Sequence, residues 1–149
     1  MRRNTRNKIA FVLFSLGFGA PTLAKTVVVP PLMARSTSAE TVLSMTTLLA
    51  SELEFVGDFD EIIQLERRPS GWGWGCVRST SCMGGIARSK SAQALVSGTV
   101  SKVSGNYNLS LVYYEGGRIV RTEKATIPTD ALAVADGLSS LVRAVITGV

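Results

Sequence analysis

"ALVSGTVSKVSGNYNLSLVYYEGGRIVRTEKATI", residues 94–127, is the stretch whose periodicity decides the fold. Apolar and polar residues alternate in "ALVSGTVSKV", "NYNLSLVYY" and "RIVRTEKATI", and the joints "SGN" and "EGG" carry residues that favour tight hairpin turns. Alternation with period two predicts three consecutive antiparallel strands. Ser97, Thr99, Ser101, Asn108 and Ser110 stand at polar positions of that alternation, so one face of the sheet is at least partly open to water or to a partner. Tyr113 and Tyr114 are neighbours and therefore face opposite sides, with one of them in the core.

After these strands Pro128 ends the ladder and Thr129 can cap a helix. Leu132, Ala135, Leu138, Leu141, Val142 and Val145 then mark one apolar helical face to the C-terminus. Before them, "SCMGGIARSKSAQ" reads as a short helix capped by Ser79 or Ser81, with Gly84 and Gly85 weakening it. Further upstream, "EIIQLE" is a strand that follows the acidic break "DFDE". Thr37 and Glu40 form a capping-box pair at the start of a helix over residues 38 to 54, whose apolar stripe is Val42, Met45, Leu49 and Leu53. "KTVVVPPL" opens this order with a run of β-branched residues, as in a strand buried on both faces, and proline stops it. The predicted fold class is α+β: a two-layer sandwich, β-α-β-α-β-β-β-α, with a mixed sheet of about five strands and the helices on one face.

The first 24 residues differ in composition. Arg2, Arg3, Arg6 and Lys8 precede the apolar run "IAFVLFSLGFGA", and "PTLA" ends in small residues. This is the plan of a secretory signal peptide with cleavage after Ala24; the apolar run is too short for a helix crossing a bilayer, which needs roughly 20 residues. The expected organisation is a signal peptide at 1–24 and a single periplasmic domain at 25–149, with secretion as the alternative destination. Four of the 16 Lys and Arg lie in the first segment and all 11 Asp and Glu lie beyond it, so the mature chain carries a net charge of +1. A nucleic-acid partner loses its electrostatic basis, and no membrane span is expected after cleavage.

Both cysteines and both tryptophans fall in "GWGWGCVRSTSC", residues 71–82. Two cysteines without any histidine cannot supply the usual four ligands of a structural zinc site, and five intervening residues do not match the two of a redox couple. In an exported chain the expectation is a disulfide between Cys76 and Cys82, which staples a glycine-rich segment. Trp72 and Trp74, at alternate positions, admit two readings. They form an apolar platform for a protein or glycan contact, or they fold back as a lid over the sheet.

The absence of histidine removes the commonest general base and the usual activator of a serine nucleophile. Asp58, Asp60 and Glu61 read as a solvated turn, with a carboxylate enzyme as the competing alternative. "GGIARSKS" lacks the spacing of a phosphate loop. No catalytic, cofactor or metal residue is assigned.

The run from the cysteines through "LVSGTV" and "YNLSL", together with "VVVPPL" at the front, resembles the α/β domain that begins the TolB translocation protein. Variants of that domain recur in curli-secretion CsgG and in LpoB, an activator of penicillin-binding proteins. The resemblance covers nearly the whole mature chain and rests on alternation and turn residues. It implies a non-enzymatic envelope module that binds other proteins, an accessory subunit of an assembly or transport machine. A glycan-binding module using Trp72 and Trp74, with peptidoglycan or polysaccharide as partner, is the alternative. The chain departs from the pattern in its helix after Cys82, poor in helix formers, and in lacking a lipidation cysteine.

Overall fold

The computed structural model describes residues 25–149, so the expected signal segment lies outside the described residues. The elements run β1 (Thr26–Val29), β2 (Met33–Arg35), α1 (Ala39–Val56), β3 (Glu61–Gln64), a single 3-10 turn (Cys76–Arg78), α2 (Thr80–Ser89), β4 (Ala94–Val103), β5 (Asn106–Glu115), β6 (Arg118–Pro128) and α3 (Ala131–Thr147). The three alternating runs form the expected meander, with β4 and β5 paired from Ala94↔Glu115 to Val103↔Asn106 and β6 antiparallel to β5. β1 is parallel to both β3 and β4, which makes the sheet mixed, with strand order β3-β1-β4-β5-β6.

The sixth strand, β2, lies in what reads from sequence as a polar link. It pairs with β4 in parallel at Met33↔Thr99, Ala34↔Val100 and Arg35↔Ser101. β1 and β2 thus share one edge of the long β4, interrupted by Pro30 and Pro31. A proline pair removes two donors from a ladder, so the chain must leave it and rejoin. Side chains satisfy the backbone of the detour: Ser97 Oγ donates to the Pro30 carbonyl (3.0 Å), Trp72 Nε1 to the Pro31 carbonyl (2.8 Å), and the Leu32 N–H to Thr46 Oγ1 (3.3 Å).

α1 and α3 pack on one face of the sheet, as a two-layer sandwich requires. Val27, Val29, Val96, Leu109, Leu111 and Tyr113 meet Met45, Leu49 and Leu53 of α1 and Leu138, Val142 and Val145 of α3. The expectation of one helical face holds for these two and not for α2. Met83, Ile86 and Ala87 of α2 cover Val28, Leu95, Val112 and Tyr114 on the opposite face. The path explains the split. From β1 the chain crosses to β3 on one side, then returns past β1 to β4 on the other, and right-handed crossovers in opposite directions place their helices on opposite faces. Tyr113 and Tyr114 are in consequence both buried, one under each layer.

Local details also differ from expectation. Ser38, not Thr37, caps α1 by accepting from the Thr41 N–H, and Asp130, not Thr129, caps α3 by accepting from the Ala133 N–H. Of the two candidates for α2, Ser79 is the cap. The inward stripe of α3 runs through Val134 and Ile146, whereas Leu132 is 74% exposed. Gly84 has a packing reason: a Cβ there would stand 2.6 Å from the Tyr114 hydroxyl, so its absence lets α2 sit close on the sheet.

Candidate functional site

Cys76 and Cys82 are joined by a disulfide, with their Cα atoms 5.2 Å apart. The bond ties the 3-10 turn to the first turn of α2, holding the glycine-rich segment over the second face of the sheet. The two tryptophans do not form a platform. The segment turns through hydrogen bonds from the Trp72 N–H to Pro69 and from the Cys76 N–H to Gly73, so the alternation of an extended chain does not apply. Trp72 is 4% exposed and packs in the cluster beneath α2. Trp74 is half-buried, and the guanidinium carbon of Arg35 lies 4.5 Å from its ring centroid.

α2 and Trp72 cover only part of this sheet face. The remainder is a concavity of about 540 Å³. Its floor is hydroxyl-rich, from Thr99 on β4, Ser110 on β5 and Thr122 on β6, and Ser101 extends it toward the hairpin end. Val112, Ile119 and Val77 form the apolar end nearest α2, where the covered half begins. Arg35 and Arg78 stand beside Trp74 on one wall and Lys124 on the other, while no carboxylate lines the concavity. An adjoining shallow depression continues the same polar floor past Asn108 and Thr126.

Sequence reasoning anticipated this floor from the alternating Ser97, Thr99, Ser101, Asn108 and Ser110. Of these, Ser97 is buried and serves the Pro30 detour, and the rest are partly or fully accessible. It missed Arg35, Arg78 and Lys124, which come from β2, from the disulfide segment and from β6. No run or spacing connects positions so far apart. Only strand order brings them to one depression.

The acidic residues near β3 have structural partners at its edge. Asp60 accepts from the Lys25 backbone N–H (2.8 Å) and Glu61 from Thr26 Oγ1 (3.3 Å), fastening the start of β1. Nearby, Lys25 Nζ pairs with Glu115 at 3.0 Å and lies 5.3 Å from the Phe59 ring, which meets Tyr113 edge-on. The Tyr113 hydroxyl donates to Glu115. Burial, then that hydrogen bond and the charges of Glu115 and Asp58, push the Tyr113 hydroxyl well above its ordinary range, against a smaller opposing effect of Arg121. Burial pushes the Glu115 carboxyl up, but the hydrogen bonds from Tyr113 and Lys25 and the charge of Lys25 outweigh it and hold the group below the usual carboxylate range. This cluster binds strand to strand; it presents no nucleophile beside a base. Among the described residues no group of His, Cys, Asp and Glu is arranged to hold a metal ion, and no helix is long and apolar enough to cross a membrane.

No protein-family model matches the chain, and no curated relative does. Solved structures share its fold. TolB from Acinetobacter baumannii superposes with a TM-score of 0.56 at 11% identity over 87% of this chain, which amounts to 30% of TolB. The LpoB C-terminal domain from Escherichia coli gives 0.51 at 17% identity, covering 76% of this chain and 90% of that one. The PelC dodecamer from Paraburkholderia phytofirmans gives 0.49 at 17% identity, covering 87% and 93%. The expected TolB-like and LpoB-like fold is therefore present.

Proposed function

We propose that this protein is a non-enzymatic interaction domain of the cell envelope, exported to the periplasm by its N-terminal segment and acting as an accessory subunit of an assembly or transport machine. The observation that carries this reading is the divided second face of the sheet. One half is sealed by α2, Trp72 and the disulfide segment, and the other half is an open concavity with a hydroxyl floor and cationic walls. A stapled, rigid rim around an open polar face suits recognition of another surface. The disulfide accords with an oxidising compartment. The lack of histidine in the sequence and the structural engagement of Asp60 and Glu61 weigh against acid–base chemistry. The fold shared with TolB and with the LpoB C-terminal domain supports an envelope role.

The test is site-specific photocrosslinking in the native envelope. With the photoreactive residue at Trp74, one or two defined envelope proteins are the expected capture, and a photoreactive residue at Phe55, on the far side of the molecule, is the control. Capture of glycan alone from position 74 replaces this reading with the sugar-binding one. Equal capture from both positions removes the concavity as the site.

A further inference from the structure

Arg35, Arg78 and Lys124 bring three positive charges to one concavity that contains no Asp or Glu. Among the described residues the one ion pair is Lys25 with Glu115, so none of these three cations is neutralised by a carboxylate of its own chain. The mature net charge is only +1, with four of the 16 Lys and Arg in the first 24 residues and 11 acidic residues beyond them. In a chain whose mature balance is close to neutral, these three cations thus stand together in a lining without an acidic residue. Arg35 is also held in place: its guanidinium rests on the Trp74 ring at 4.5 Å, which lowers the ordering needed to meet a planar anion.

From these observations we infer that the concavity is a docking site for an acidic polypeptide segment, an extended stretch of a partner protein with Asp or Glu at alternate positions. The inference rests on the interaction-domain reading and names the chemistry of its partner. Strand order sets the scale. β2 and β6 flank β4 and β5, so Arg35 and Lys124 rise from strands three spacings apart, about 14 Å between backbones. The two long side chains shorten that gap from either wall, and alternate side chains of an extended chain share one side at a spacing of roughly 7 Å, so a segment crossing the strands turns its acids toward the sheet and sets two of them, four residues apart, within reach of the two walls. Between the walls Thr99, Ser110 and Thr122 offer hydroxyls that donate to or accept from a peptide backbone. A sugar ring or nucleobase would need an open aromatic face, and Arg35 occupies one face of the half-buried Trp74, the sole aromatic residue of the lining.

The experiment measures fluorescence anisotropy of a labelled ten-residue peptide of alternating Glu and Ser with the purified mature protein, at low and at physiological salt. A Gln–Ser peptide and an oligogalacturonate of matched charge are the comparison ligands. Expected is saturable binding of the Glu peptide that weakens with salt and weakens about tenfold or more in the R35Q/R78Q/K124Q variant, whose three exposed changes leave the melting temperature at the parent value. Absence of binding, equal binding of the Gln peptide, or an undiminished affinity in the variant overturns the inference. Tighter binding of the oligogalacturonate overturns it in favour of an acidic polysaccharide. Photocapture from position 74 separates the two levels. Protein capture that persists in the triple variant leaves the interaction domain standing and removes acidic recognition, and protein capture that the triple variant loses supports both.

Discussion

The indole N–H of Trp72 donates to the backbone carbonyl of Pro31 at 2.8 Å, joining the disulfide segment to the detour between β1 and β2 across 41 residues of sequence. With Ser97 holding the Pro30 carbonyl, this contact fixes the chain beside the carboxyl end of β1, where the crossover direction reverses. Open α/β sheets bind ligands at such a switch point. Here a depression of about 360 Å³ lies between Pro31 and Leu32 after β1, Leu65 after β3 and the start of α1, and the hydroxyl-floored concavity lies farther along β4, β5 and β6.

Trp72→Phe keeps most of the ring volume and leaves the Pro31 carbonyl only the longer contact from Ser97 Oγ (3.5 Å), an expected loss of about 1 to 2 kcal/mol. Trp72→Ala adds a cavity and brings the loss to roughly 3 to 5 kcal/mol. Urea denaturation measures both. A Phe variant as stable as the parent would show that the hydrogen bond carries no net stability.

Replacing Cys76 and Cys82 together by serine opens a short loop, with an expected cost of about 2 kcal/mol. Hydrogen exchange should accelerate first over residues 71–89, before β4 and β5 respond, because the bond restrains that segment alone. Intact mass under non-reducing conditions is the prior check: two free thiols in the exported protein refute the staple.

Arg121 reaches from β6 to the last turn of α3, where Nη1 donates to the carbonyls of Val145 (2.8 Å) and Ile146 (3.2 Å). The last turn of α3 has no basic residue of its own, so this guanidinium supplies the charge its C-terminal dipole favours. Arg121→Ala should cost about 1 to 2 kcal/mol and fray residues 143–148 in hydrogen exchange. Arg121→Lys should recover part of the loss; a fully stable Ala variant refutes the assignment.

The Tyr113–Glu115–Lys25 cluster predicts a pH response of defined sign. The folded Glu115 carboxyl is held below its ordinary value of 4.5, so its contribution is complete above that value and drains away as the pH falls beneath it. Tyr113 is shifted upward, so its contribution is complete below the ordinary value of 10.0 and is lost as the pH rises above it. Denaturation midpoints between pH 6 and pH 3 should fall less steeply in Glu115→Gln than in the parent. An identical slope would mean that the pair contributes nothing to acid stability.

The meander was fully legible from Ala94 to Ile127, because turn residues are local signals and the burial of one face under α1 and α3, with the other partly open, imposes the alternation. α1 was legible to within two residues, since its stripe Val42, Met45, Leu49 and Leu53 has no competing period. β2 was not. Three residues behind two prolines carry no periodicity, and β2 exists only because β4 offers a free ladder at Thr99–Ser101. The tryptophan platform failed for a related reason: reading alternate positions as one side assumed an extended chain, and the turns closed from Trp72 to Pro69 and from Cys76 to Gly73, with the Pro31 hydrogen bond, fold Trp72 inward while leaving Trp74 at the rim.

The sequence by itself determined the order and kind of the main elements, the lack of a histidine-based chemistry and the pairing options of its two cysteines, because each depends on residues close in the chain or on composition. The tertiary structure alone decided that α2 lies opposite α1 and α3, that Trp72 is core, and that Arg35, Arg78 and Lys124 meet around one hydroxyl floor. Those outcomes follow from strand order and the hand of the crossovers, which join positions that no local pattern connects.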